Sequence, residues 1–82
     1  MDFGEALNYL QQGHKIKRDN WGGYWTLESL NGLSRPIIIA TLKETAERVP
    51  ATAYQEDILA TNWLVLEDWY TKHYSQNNIL LP

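Results

Sequence analysis

Eighty-two residues make one domain, and a chain of this size buries only roughly 60% of the surface its unfolded form exposes, so its stability margin is thin. The absence of cysteine excludes a disulfide framework and a thiolate metal site. A net charge of −3, with seven basic against ten acidic residues and no basic stripe, argues against a nucleic-acid polymer as partner; no run approaches the ~20 apolar residues of a membrane span, so a cytoplasmic location is expected.

In chain order, Asp2 followed by Glu5 reads as a capping-box variant opening a helix over about residues 3–12. Phe3, Ala6, Leu7 and Leu10 supply its apolar stripe, and Gly13 its stop. His14 to Asp19 is expected as a short strand around Ile16, with Lys15 and Lys17 toward solvent. Asn20 to Gly23 is a turn, in which Asn and paired Gly favour left-handed backbone angles. Tyr24 to Leu30 is a second strand, and Asn31-Gly32 a hairpin turn. Pro36 to Leu42 is a third strand whose three isoleucines suggest burial on both faces or at a subunit contact. Lys43 to Arg48 is either a loop or the turn into a fourth strand reaching Val49. Thr52 and Gln55 open a short helix through Ala60 that buries Ile58 and Leu59, and Trp63 to Leu66 is a final strand. The prediction is an α+β domain over residues 1–67: an N-terminal helix, a small antiparallel sheet and a short late helix. Residues 68–82, with the polar-aromatic stretch Trp69 to Tyr74, read as an extension ordered in part at best.

The residue pattern offers little chemistry of the catalytic kind. His14 and His73, the two histidines, have no nucleophile nearby in sequence and no paired spacing for a metal. The carboxylate pairs Glu56-Asp57 and Glu67-Asp68 are sequence neighbours, whose side chains diverge in a helix or a strand. Gly22-Gly23 is not followed by the Lys-Ser/Thr of a phosphate loop. No enzyme activity, metal or cofactor is expected. What stands out is Trp21 on a Gly-flanked turn, with Tyr24 and Trp25 directly after it. An indole beside open backbone suits a flat ring such as a nucleobase, and Arg18 is placed to hold a phosphate. The plainer alternative is that Trp21 packs over the hairpin and the glycines satisfy turn geometry.

Two stretches carry a resemblance. Met1 to Leu7, then Gly13 to Arg18 with Trp21 and Gly23, resemble the opening of a family of small phage and prophage proteins. Gln55 to Trp63 resembles that family's second hallmark. The family is the second type of Thoeris anti-defense protein, and the likeness covers about residues 1–67. It implies a non-enzymatic sponge that sequesters cyclic ADP-ribose isomers, such as glycocyclic ADP-ribose, made by bacterial TIR-domain proteins in the host cytoplasm. Some relatives bind cyclic oligonucleotides, and others in the wider family inhibit CRISPR–Cas nucleases, which implies a protein-binding alternative. It further implies a homotetramer with ligand pockets between protomers. The candidates carried over are Arg18, Trp21, Gly22, Gly23, Tyr24, Gln55 and Asp57, with Phe3, Trp25, Ala51, Tyr54 and Trp63 in second rank. Trp21 is expected to stack on the base, Arg18 to hold phosphate or fix the turn, and Gln55 and Asp57 to meet ribose hydroxyls or the base edge. Phe3 and Trp63 read first as core. The chain departs from the family pattern at Asn20, Gly22 and Ala51, the last standing where relatives often carry a second Trp.

Overall fold

Asp2 accepts the Glu5 N–H at 2.8 Å and Glu5 accepts the Asp2 N–H at 3.2 Å, so the capping box forms and starts α1 (Phe3–Gln11). In the computed structural model, which describes residues 1–66, Ala6 and Leu10 are the fully buried members of its stripe. Gly13, at φ +100°, turns the chain out of the helix in a conformation that a β-carbon would strain. The expected C-terminal extension lies outside the described residues.

Five strands follow: β1 (Lys15–Arg18), β2 (Tyr24–Glu28), β3 (Ile37–Thr41), β4 (Arg48–Pro50) and β5 (Trp63–Leu66), with the short helix α2 (Gln55–Ile58) between the last two. They form one sheet in the order β4-β3-β2-β1-β5, every neighbouring pair antiparallel. The fold is α+β, as expected. Register and the two-residue alternation of strands place Val49, Ala40, Trp25, Ile16 and Val65 in one row across the same face. Helix α1 covers that face over β1, β2 and β5, where Ala6, Leu10, Ile16, Trp25 and Trp63 form the core.

Local differences from expectation have physical reasons. Asn31-Gly32 does form a turn, closed by Leu33 N–H to Leu30 O at 3.2 Å with Gly32 at φ +86°. It lies inside a longer connection over residues 29–36, so it does not set a two-residue hairpin register. The three isoleucines of β3 alternate instead of burying together: Ile38 packs toward the core, while Ile39 is buried on the other face between Thr26 and Pro50. Lys43 to Arg48 is the turn into a fourth strand, with Ala46 in the left-handed region at φ +57°. Lys15 and Lys17 are half-buried, and the Lys15 ammonium lies 4.6 Å from the Tyr24 ring centre.

Helix α2 is turned the other way from its expected orientation. Tyr54, not Thr52, is its N-cap, and the helix ends at Ile58. Ile58 and Leu59 are 47% and 70% exposed, whereas Asp57 is buried at 4%. A helix of four residues presents about one side chain to its support, and that position is taken by the carboxylate.

Gly22 and Gly23 are not left-handed either, since among the described residues only Gly13, Gly32 and Ala46 have positive φ. They are needed for space. A β-carbon at Gly23 would overlap the Thr41 carbonyl oxygen, and one at Gly22 would lie 2.5 Å from the Lys43 Cδ. The first obstacle is backbone and the second a flexible side chain. Gly23→Ala is therefore expected to destabilise by about 2 kcal/mol through forced backbone displacement, lowering Tm by about 10 °C. Gly22→Ala should leave Tm nearly unchanged; equal thermal shifts for the two would contradict this account.

Candidate functional site

Because α1 packs mainly on β1, β2 and β5, the same sheet face is left open over β3 and β4. Small side chains floor the opening: Ala40 on β3, Val49 on β4 and Ala51 just beyond it. The Asn20–Gly23 turn forms one wall, pressed onto the end of β3 by the missing β-carbon of Gly23. The chain from Thr52 to Asp57, crossing from the β4 edge toward β5, forms the other. The result is an open cleft of about 630 Å³, within the roughly 300–1,000 Å³ typical of small-molecule sites.

Trp21 is half-buried at the cleft wall. Its ring centroid lies 5.2 Å from that of Trp25 and 5.2 Å from that of Trp63, tilted 47° to the first and nearly perpendicular, 81°, to the second. Trp25 and Trp63 are themselves 5.3 Å apart, and Phe3 abuts Trp63 at 5.3 Å. Offset and edge contacts of this kind add about 0.5–1.5 kcal/mol per aromatic pair beyond burial. Trp21 is thus braced from behind by two core indoles while it lines the cleft in front.

The turn is also tied from its N-terminal side. Trp21 donates its N–H to the Arg18 carbonyl at 3.0 Å. The Arg18 guanidinium donates from Nη1 to Asp57 Oδ1 at 2.9 Å and from Nε to Asn62 Oδ1 at 2.9 Å. Asn62 in turn donates to Asp19 Oδ1 at 2.6 Å. Asp57 Oδ2 accepts the Tyr54 N–H at 3.1 Å, and the Asp57 carbonyl accepts the Trp63 indole N–H at 2.9 Å. Asp57 therefore joins the end of β1 and the start of α2 through its buried carboxylate, and the core tryptophan through its main-chain carbonyl.

Of the residues singled out from sequence, Trp21, Gly22, Gly23, Tyr24, Trp25, Ala51, Tyr54 and Asp57 line the cleft. Arg18, Gln55, Phe3 and Trp63 do not. Arg18 lies behind the wall with its guanidinium engaged by Asp57 and Asn62, which favours its turn-fixing role over a phosphate contact. Gln55 is exposed on α2, Phe3 is half-buried against the core, and Trp63 is fully buried. Sequence reading missed Thr41, Lys43, Glu44, Thr52 and Glu56, which also line the cleft. The signal was weak: Lys43 and Glu44 belong to a charged stretch whose role depends on the β3–β4 hairpin bringing it beside the Trp21 turn.

The model of the Thoeris anti-defense 2-like domain matches residues 1–66, the whole of the described fold. No curated protein matches the chain. The chain belongs to the Thoeris anti-defense 2-like family, and its role is that of a phage anti-defense protein.

Proposed function

We propose that this Thoeris anti-defense 2-like protein acts as a sponge, holding a nucleotide-derived immune signal without transforming it. The observation that carries this reading is the cleft itself: small-residue floor, glycine turn, and an indole wall braced by two further indoles. A flat base stacks on Trp21, an interaction worth about 1–3 kcal/mol. Thr52, Tyr54 and Glu56 offer hydroxyl and carboxylate partners for a sugar on the opposite wall. In this role Asp57 and Arg18 hold the walls at their spacing, and Glu56 takes the ribose contact first expected of Gln55 and Asp57. Cyclic ADP-ribose isomers, with cyclic oligonucleotides second, are the ligand class. Calorimetric titration with both classes tests it, followed by heat release and mass determination of the ligand. Recovery of intact ligand is expected; recovery of a cleaved product, or no uptake by the folded protein, would defeat the proposal.

The assembly proposed is a homotetramer in which a second chain completes the cleft. Tyr54 at 64%, Ile58 at 47% and Leu59 at 70% exposure form an apolar edge continuous with the cleft wall, a surface of the kind that marks a protein contact. Ile58→Ser with Leu59→Ser is expected to reduce the mass measured by light scattering and to weaken ligand binding together. The same edge favours the alternative reading, a protein-binding inhibitor of a defense nuclease. Co-purification with a nuclease that is lost in the Ile58/Leu59 variant but kept after Trp21→Ala would select it.

A further inference from the structure

Arg18 was the obvious cation for a phosphate, yet its guanidinium is engaged behind the cleft wall. The other described cations are placed elsewhere. Arg48 pairs with Glu28. Lys15 lies over Tyr24, and Lys17 shares its face of β1, the face opposite Ile16. Arg35 is exposed in the β2–β3 connection. Among the described residues, Lys43 is the one Lys or Arg that lines the cleft.

Its placement depends on Gly22. A β-carbon there would meet Lys43 Cδ at 2.5 Å, Cβ at 3.1 Å and Cγ at 3.3 Å, so the lysine stem crosses the bare face of the glycine. Gly22 is also a position where this chain departs from the resembled pattern. We propose that Lys43, seated on Gly22, is the phosphate-contacting residue of the cleft and sets its preference for phosphorylated ligands. The inference rests on the sponge reading and deepens it. Glu44 and Glu56 are the other charged side chains on the rim besides Asp57, which Arg18 neutralises. An anionic ligand must therefore orient its phosphate to the lysine and its hydroxyls to the carboxylates.

The test compares calorimetric titrations of cyclic ADP-ribose and of adenosine, which shares the base and ribose but has no phosphate. Lys43→Gln is expected to weaken cyclic ADP-ribose about tenfold, as loss of a charge-assisted hydrogen bond does, and to leave adenosine unchanged. Added salt should weaken wild-type binding more than that of the variant. Gly22→Ala, which displaces the stem, should show a loss similar to that of Lys43→Gln, and the double variant no greater loss than either. Wild-type affinity and salt dependence in Lys43→Gln, or an equal loss for adenosine, would overturn the proposal. Additive losses in the double variant would overturn the Gly22 seat. Failure of wild-type protein to bind cyclic ADP-ribose, by contrast, would count against that ligand in the sponge reading and would remove this inference with it.

Discussion

Asp57→Ala is expected to lower stability by about 3–5 kcal/mol, the loss measured when one partner of a buried ion pair is removed. A domain of this size has a total of only about 5–10 kcal/mol, so the variant should be largely unfolded in mild urea. The size of the effect follows from how much meets at one carboxylate. Its removal leaves the Arg18 guanidinium largely enclosed without its counter-charge and the Tyr54 N–H without its acceptor. Asn62 continues to hold Arg18 through Nε, which places the expected loss toward the lower end. Asp57→Asn keeps an acceptor for Tyr54 and should fall between. Replacing both partners, Arg18→Met with Asp57→Leu, should recover much of the stability, because two apolar groups need no pairing. An unchanged urea midpoint for Asp57→Ala would show that the network is incidental.

Trp21→Ala is expected to have the largest effect on binding, about a hundredfold loss of affinity for cyclic ADP-ribose, the upper range of one stacking contact. Part of the ring is also structural, since it rests on Trp25 and Trp63. Removal should therefore lower Tm as well. Trp21→Phe separates the two roles: it keeps a ring against the core tryptophans and a smaller stacking face toward the cleft. It should retain the wild-type Tm within a few degrees, as a change of about 0.5 kcal/mol implies, and lose an intermediate share of affinity. A folded Trp21→Ala protein that titrates like wild type would remove the cleft from consideration as the ligand site.

How far the sequence could be read depended on whether the deciding interaction was local. The capping box of Asp2 and Glu5 and the stop at Gly13 are complete within one stretch of chain, and both formed as expected. Ile16 at the centre of β1 followed from alternation in the same way. Helix α2 could not be read locally, because Asp57 turns inward to meet Arg18, 39 positions earlier. Apolarity alone ranks Ile58 and Leu59 as the buried pair; a tertiary ion pair reverses the order. Gly22-Gly23 is a similar case. Its composition signals a turn correctly, but the reason for glycine is steric room beside Thr41 and Lys43, a neighbour relation set by the β2–β3 pairing. The cleft was visible on its Trp21 side and not on its β3–β4 side, since Lys43 and Glu44 join it only once the sheet has formed.

The three clustered tryptophans have an optical consequence. Chromophores 5.2–5.3 Å apart couple their electronic transitions, so the domain should carry an exciton band in its circular dichroism that no isolated indole produces. Trp63 is fully buried and Trp25, although it lines the cleft, is only 5% exposed; both serve as fixed oscillators, while Trp21 is the outer member that a stacked ring would perturb. Ligand uptake would then rewrite the band without changing the backbone signal, and unfolding would erase both. The protein would thus act as its own label-free sensor of occupancy.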